Sequence, residues 1–155
     1  MQIRWHKATP DDLELLTSTR VEVLRAANLL SPDADMAEIE AASRAYYQSA
    51  LADGSHTAYL VFDGDLWVGA GGVSYYQIMP TYHNPTGWKA YLMNIYTRPD
   101  YRRRGLARRT LNLLIEDAYA RGITAVSLDA TAMGKPLYVS RGFISMPMEM
   151  ELPCP

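Results

Sequence analysis

The sequence has one cysteine, no excess of positive charge and no long apolar run without breaks. Cys154 has no partner in the chain, so no intramolecular disulfide is expected, which fits a reducing compartment. The net charge of −2 provides no overall field that would draw the chain to nucleic acid or an anionic membrane. Glycine and proline interrupt the uncharged stretch 66–88, and the N-terminus MQIRWHKATP lacks the apolar core of a secretory signal. We therefore expect a cytoplasmic protein that binds neither nucleic acid nor membrane.

Several motifs are also missing. No G-x-G-x-x-G follows the first predicted strand, and there is no G-K-[ST], so neither a dinucleotide-binding fold nor a P-loop is indicated. His6, His56 and His83 are scattered and do not have the spacing of metal ligands. The sequence therefore predicts no metal site.

The composition is that of a folded protein. The chain has 155 residues, of which 48% are hydrophobic and 21% are charged. This size predicts a single domain over residues 1–155 with a substantial core. Eleven of the seventeen acidic residues precede residue 66, whereas six of the fifteen basic residues lie between Arg98 and Arg109. This asymmetry indicates a local anion site.

Hydrophobic periodicity and turn residues predict a mixed α/β domain with the order β-α-α-β-β-β-α-β-α-β-β. Thr9-Pro10-Asp11-Asp12 is a strong helix start, since Asp12 is placed to bond back to the chain before it. Glycines within the strand LWVGAGGVSYY predict a bulge or a close backbone approach. A helix is expected from Gly105 to Arg121. FISM and MEMEL are expected to be the last two strands, separated by Pro147.

The basic cluster, written DYRRRGLARR over residues 100–109, falls between the strand AYLMNIYT and that helix. The first amides of a helix have no internal partner and lie at the positive end of its dipole, so such an end binds phosphate. Gly105 leaves room for close approach, and arginines supply forked donors to phosphate oxygens. The pattern predicts a phosphate-binding loop. The alternative is a solvated helix start.

The residues of this loop carry a family resemblance. Arg102-Arg-Arg-Gly105-Leu-Ala107 resembles the R/Q-x-x-G-x-G/A signature of the GNAT N-acetyltransferases. MNIYT before the loop and LYVSRGF about thirty residues after it follow in the expected order over the whole chain. The resemblance implies an α/β single-domain GNAT-like mixed sheet, a splayed pair of fourth and fifth strands, about four helices, and acetyl-CoA as cosubstrate.

The resemblance also implies which residues contact acetyl-CoA. The pantetheine arm is expected on the backbone of the fourth strand, and the pyrophosphate on the amides of the loop that Arg102 opens. Thr131 stands roughly where many relatives carry an asparagine that contacts the pantetheine. The residues implied in this way are Ile95, Tyr96, Thr97, Arg102, Arg103, Arg104, Gly105, Leu106, Ala107, Arg108 and Thr131.

Two catalytic roles follow from the same resemblance. Tyr138 matches a tyrosine near the sulfur of coenzyme A, where a phenol can donate a proton to the departing thiolate. Asp129 aligns with a glutamate that acts as the base in some relatives, although many similar proteins have a histidine there. Glu22 on the first helix is the other candidate base.

The expected activity is transfer of acetyl from acetyl-CoA to a primary amine by direct attack. The acceptor is a small molecule or a peptide amine, and the acidic N-terminal half slightly favours a cationic one. Dimers are common among similar proteins, so a homodimer is an open expectation. The alternatives are a non-catalytic acyl-CoA binding module and a nucleic-acid-binding protein, which would lack a recognition motif. Candidates for lining the acceptor pocket are the SPDAD turn, Tyr46, Tyr47, Tyr75, Tyr76, Tyr82 and Trp88.

Overall fold

A computed structural model describes all residues, 1–155. Five strands and four helices follow each other in the order β-α-α-β-β-β-α-β-α, with short 3₁₀ turns at Pro10–Asp12 and Pro99–Tyr101. The elements are β1 (Ile3–Lys7), α1 (Leu13–Ala27), α2 (Ala37–Asp53), β2 (His56–Asp63), β3 (Leu66–Gln77), β4 (Trp88–Thr97), α3 (Leu106–Ala120), β5 (Val126–Leu128) and α4 (Lys135–Arg141).

The strands form one mixed sheet in the order β1-β2-β3-β4-β5. Adjacent strands from β1 to β4 are antiparallel, and β5 is parallel to β4. Helix α3 packs on one face, where its Leu114 forms a core with Val73 and Leu92 of the sheet. Helices α1 and α2 cover the other face, where Leu16 and Tyr47 bury Leu60. The predicted mixed α/β class is confirmed.

The start of the first helix is as predicted. The carboxylate of Asp12 accepts a hydrogen bond of 2.8 Å from the backbone N–H of Thr9. Asp12 also hydrogen-bonds Nε2 of His6 on β1 at 2.8 Å, which ties the helix start to the sheet. These contacts hold the pKa of the Asp12 carboxyl below its usual value although partial burial acts the other way.

Glycines in β3 allow close packing on both faces of the sheet. A Cβ on Gly71 would lie 2.4 Å from the side chain of Thr110 on α3, and one on Gly72 would lie 2.8 Å from Nε2 of His56. The pairing of β3 with β4 also shifts register between Ala70 and Gly72. The close approach expected from these glycines is therefore present. The extra residue at the shift against β4 lies in β4, whereas β3 has its own extra residue against β2, at Val68 beside Gly69.

The bulge separates the fourth and fifth strands. Asn94 on β4 has a φ of +59°, the left-handed region that few residues other than glycine adopt. Pairing of β4 with β5 ends at Leu92 and Leu128, just before this bulge. Beyond Leu92, the edge of β4 that faces β5 has no strand beside it, which confirms the predicted splay of the two strands.

The two strands predicted at the C-terminus are not formed. FISM and MEMEL carry no strand, and Ile144, Met148 and Leu152 are between 79% and 93% exposed. Alternating apolar residues are a local signal, whereas a strand also needs a neighbour for its backbone. Here β5 is three residues long, and no segment pairs with its far edge.

Candidate active site

The basic cluster forms the loop and helix start that its position in the sequence indicated. A 3₁₀ turn ends at Tyr101, Gly105 occupies the N-cap of α3 with a φ of +79°, and Arg103 has a φ of +62°. These left-handed residues turn the chain sharply from the end of β4 into the helix. None of the six consecutive backbone amides of residues 103–108 donates a hydrogen bond to an acceptor in the chain.

Gly105 is required first by the backbone. Other residues adopt a φ near +79° only with strain of roughly 1 to 2 kcal/mol. A Cβ at this position would meet no heavy atom within 4 Å, so the space beside the glycine is open. A side chain at this position would therefore cause no steric clash, and the left-handed backbone of the loop is the reason for a glycine.

Most arginines of the cluster have no acidic partner. Only Arg98 lies within ion-pair distance of a carboxylate, that of Asp100 at 3.8 Å. Arg102 instead donates from Nε to the carbonyl of Thr97 at 3.2 Å, and the guanidinium of Arg104 lies 5.1 Å from the ring centre of Tyr101. Arg108 donates to the hydroxyl of Ser140 on α4. The charges of the other arginines of the cluster are thus not balanced by a carboxylate of the chain.

The open edge of β4 leads to this loop. Tyr96 and Thr97 pair with Ala70 and Gly69 of β3 on one side only. The ring of Tyr96 stacks on Trp67 with centres 5.7 Å apart, which steadies this half of the strand. Backbone groups along the opposite edge of this segment have no strand partner, so an extended ligand can pair with them.

Tyr138 is half-buried on α4. Its ring packs against the core on the α3 face and meets Phe143 edge-to-face at 6.1 Å. The hydroxyl makes no hydrogen bond within the chain, and burial raises the pKa of the phenol above its ordinary value. The phenol therefore keeps its proton at neutral pH. Thr131 lies nearby, where its hydroxyl accepts a hydrogen bond of 3.1 Å from the amide of Gly134 just before α4.

Asp129 follows β5 directly and is exposed. Oδ2 accepts a hydrogen bond of 2.5 Å from the hydroxyl of Tyr91 on β4. Burial, followed by this contact with the carboxylate, raises the pKa of Tyr91 to about 12. Asp129 and Tyr138 border the same cavity of about 540 Å³ at the end of β5. The structure thus places the two predicted catalytic residues at one cavity.

Glu22, the other candidate base, is exposed on α1 and makes no hydrogen bond or ion pair. It lies close enough to Tyr96 for its charge to contribute to a raised pKa of that phenol, after burial as the larger cause. It borders neither of the two cavities described here.

A second cavity, of about 300 Å³, lies on the opposite face of the sheet. Sequence reasoning named two of its lining residues, Tyr46 and Tyr47, but missed Arg20, His56 and Asn94. The other aromatic candidates Tyr75, Tyr76, Tyr82 and Trp88, and the SPDAD turn, do not line it. Asn94 lies within the strand sequence MNIYT, and a single amide side chain in an apolar and aromatic strand was the feature of the sequence that could have indicated it.

His56 is a buried histidine at the start of β2. It is 5% exposed, and its Nδ1 lies 2.9 Å from the hydroxyl of Tyr46 and 3.3 Å from that of Ser74. Nε2 is buried without a hydrogen-bond partner. Burial, with a smaller contribution from the charge of Arg20, lowers the pKa of the imidazole to about 4. His56 is therefore neutral at physiological pH.

No helix of the structure is long and apolar enough to cross a membrane. No group of three or more histidine, cysteine, aspartate or glutamate side chains stands close enough together to hold a metal ion.

Comparison with known proteins identifies the class. The model of the acetyltransferase (GNAT) family matches residues 23–143, most of the chain. The protein therefore belongs to the GNAT acetyltransferase family, as its loop signature indicated. No curated protein sequence matches the chain significantly.

Solved structures agree with this assignment. A predicted acetyltransferase from Clostridium acetobutylicum, solved with acetyl-CoA, is 28% identical, covers 98% of this chain and 96% of its own, and has a TM-score of 0.89. A GCN5-related N-acetyltransferase from Ralstonia eutropha JMP134 is also 28% identical, with 98% of each chain covered and a TM-score of 0.83. Glucosamine-6-phosphate N-acetyltransferase from Arabidopsis thaliana shares the fold at 12% identity, with 98% of each chain covered and a TM-score of 0.71.

Proposed function

We propose that the protein is an acetyl-CoA-dependent N-acetyltransferase that moves acetyl to a primary amine by direct attack. The observation that carries this proposal is the run of six unpartnered amides at residues 103–108, which lies at the end of an open strand edge. A linear ligand with a phosphate-rich end and an amide-containing arm matches both features. The acetyl-CoA in the crystal structure of the relative from Clostridium acetobutylicum supports this assignment.

The chain offers complementary groups to each part of acetyl-CoA. The amides of residues 103–108 would bind the pyrophosphate, and the unpaired guanidinium groups of the loop would add charge. The backbone of Ile95, Tyr96 and Thr97 would pair with the pantetheine arm. Arg102, which opens the loop, and Thr131, which lies just before α4, would add further contacts. Acetyl-CoA supplies the activated acyl group as a thioester.

The reaction forms one bond and breaks one. The amine nitrogen attacks the thioester carbonyl, the new C–N bond forms, and the C–S bond breaks with its electron pair going to sulfur. We propose that Tyr138 donates its proton to the departing sulfur and regains one from solvent. Since burial keeps the phenol protonated, the donor is in the required state at neutral pH.

The amine must lose a proton, first to become neutral and again as the amide forms. We propose Asp129 as the acceptor of a proton, which would reach it through water. The hydrogen bond from Tyr91 fixes the orientation of its carboxylate at the end of β5. Exposure to solvent lets the proton pass on to bulk water. The whole chain, residues 1–155, is proposed to act as one domain.

Ligand-dependent unfolding tests the cosubstrate. Acetyl-CoA at a hundred times its dissociation constant should stabilise the fold by about 2.7 kcal/mol, and coenzyme A should compete with it. An unchanged unfolding temperature at millimolar acetyl-CoA in a folded sample would overturn the proposal. Release of free thiol in the presence of an amine panel then tests turnover, and binding without turnover would indicate an acyl-CoA binding module instead.

A further inference from the structure

The second cavity lies between the sheet and the helices α1 and α2, and residues from all three line it. Its volume is about 300 Å³, the lower end of the range for small-molecule sites. Arg20 comes from α1, Tyr46 and Tyr47 from α2, and Ser74 and Asn94 from the sheet. A space of this size takes a small metabolite.

The cavity adjoins the segment of β4 proposed to hold the cosubstrate. Met93 and Asn94 line it, and Ile95 is the next residue along the strand. The bulge at Asn94 changes the direction of β4 between these two sites. Asparagine tolerates left-handed backbone better than most residues other than glycine, and residues in this conformation are often found at functional sites. The position suits a molecule that must reach the acyl carbon.

Arg20 is the one charged side chain of this cavity. It is half-buried, and Nη1 donates to Oδ1 of Asn94 at 2.9 Å. No carboxylate lies within 4 Å of its guanidinium, and no acidic residue lines the cavity. A partly desolvated guanidinium with most donors unused favours an anion, and its fork matches a carboxylate.

Two hydroxyls of the same cavity also lack partners. Tyr47 is 4% exposed and Ser43 is 9% exposed, and neither hydroxyl makes a hydrogen bond within the chain. Neither oxygen is among the fully buried side-chain atoms without a partner, so both reach the open space of the cavity, where water or a ligand can meet them. Two hydroxyls beside a guanidinium form a set of donors for carboxylate oxygens.

The other polar side chains that line the cavity hydrogen-bond one another and carry no charge. The Tyr46 hydroxyl bonds Ser74 Oγ at 2.6 Å and His56 Nδ1 at 2.9 Å. Since His56 is neutral at physiological pH, it adds no charge to the cavity, and the charge there is that of Arg20.

We propose that this cavity binds the acceptor, and that the acceptor is a small primary amine carrying a carboxylate, held by Arg20 with its amine directed toward the bulge of β4. This inference rests on the proposed function. It reverses the expectation of a cationic acceptor, because the acidic residues of the N-terminal half lie outside the cavity.

The test pairs each amine with a matched neutral partner. Glycine, β-alanine and a set of L-amino acids are compared with their carboxamides, with release of free coenzyme A as the readout. The wild-type protein should show a kcat/KM at least about tenfold higher for the carboxylate of the best pair. Aminomethylphosphonate serves as a further arm, since a preference for it would assign the anion as a phosphonate or phosphate.

Arg20→Gln should lower kcat/KM for the carboxylate roughly tenfold to a hundredfold and should lower that for the carboxamide much less. Acetyl-CoA affinity should stay the same. Arg25→Gln is the matched control, since Arg25 lies on the same helix and donates to the carbonyl of Ser31 instead. Equal loss for both members of a pair, or a wild-type preference for the carboxamides, would overturn the inference.

A binding measurement separates this inference from the proposed function. Chemical shifts of the protein are followed by NMR while the same amino acids and carboxamides are added without acetyl-CoA. Carboxylate binding that depends on Arg20, in a protein that transfers no acetyl group, would support the cavity and refute the transferase. Acetyl transfer to neutral amines, with no effect of Arg20→Gln on any amine, would support the transferase and refute the cavity.

Discussion

The hydroxyl of Tyr91 and Oδ2 of Asp129 lie 2.5 Å apart across β4 and β5. Asp129 stands one residue beyond Leu128, the last paired residue of β5, whereas Tyr91 still pairs with Ser127. The two strands begin to separate at this point. The hydrogen bond therefore joins the strands next to the gap proposed to admit acetyl-CoA. It also sets the orientation of the carboxylate proposed as the base.

Asp129→Asn should slow acetyl transfer by about a hundredfold or more, because an amide cannot take the proton of the amine. The binding of acetyl-CoA should be unchanged. Single-turnover transfer beside equilibrium binding of acetyl-CoA measures both. Tyr91→Phe leaves the carboxylate in place and should have a smaller effect. If the Asp129→Asn protein is fully active, Asp129 is not the base, and water or Glu22 would be the remaining candidates.

Tyr138→Phe removes one hydroxyl and almost no packing volume. If this hydroxyl protonates the departing sulfur, the transfer step should slow by about a hundredfold while affinity for coenzyme A changes little. Rapid-quench measurement of one turnover, together with calorimetric binding, distinguishes the two effects. Loss of affinity with normal chemistry would make Tyr138 a wall of the binding cleft.

Gly105→Glu should abolish binding of acetyl-CoA, because a carboxylate at the start of α3 repels the pyrophosphate. The fold should lose about 1 to 2 kcal/mol from left-handed backbone strain. Gly122→Glu is a close control: Gly122 has a φ of +75° at the other end of the helix, and open space surrounds both glycines. Thermal unfolding with and without acetyl-CoA should show a ligand effect in the control alone.

Normal acetyl-CoA binding by the Gly105→Glu protein would place the phosphates elsewhere. Arg104→Ala should weaken binding less than Gly105→Glu, since the amides of the loop carry most of the proposed contacts.

Stability should fall in mild acid because of His56. Its pKa is about 4 in the folded protein and near the ordinary 6.5 when unfolded, so the unfolded chain binds the proton first. The stability is fully present above pH 6.5 and is lost as the pH falls from there to about 4. Between pH 7 and pH 4.5 the loss should be on the order of 2 to 3 kcal/mol.

Urea unfolding at pH 7 and pH 4.5 measures this loss, and His56→Gln, which has no imidazole to protonate, should remove most of it. The same pH dependence in both proteins would show that other groups cause it.

The sequence by itself determined the class of fold and the position of the loop that is proposed to bind the anion. Both are encoded over short stretches: apolar periodicity defines each helix and most strands, and Arg102 to Ala107 contain in one loop the residues that turn the chain into α3. The resemblance in those residues also indicated the splayed strands. Local patterns nevertheless gave two false strands from Phe143 onward, because alternation cannot show whether a neighbouring strand exists.

Only the tertiary structure decided the second cavity. Arg20 and Asn94 are 74 residues apart in sequence and meet at 2.9 Å only because α1 packs over the bulge of β4. The neutral state of His56 likewise follows from its burial and, to a smaller extent, from the charge of Arg20, which lowers the pKa of the imidazole and which no local pattern encodes. The charge of a site depends on which side chains the fold brings into it, so the acidic composition of the N-terminal half could not predict a cavity whose one charged residue is Arg20.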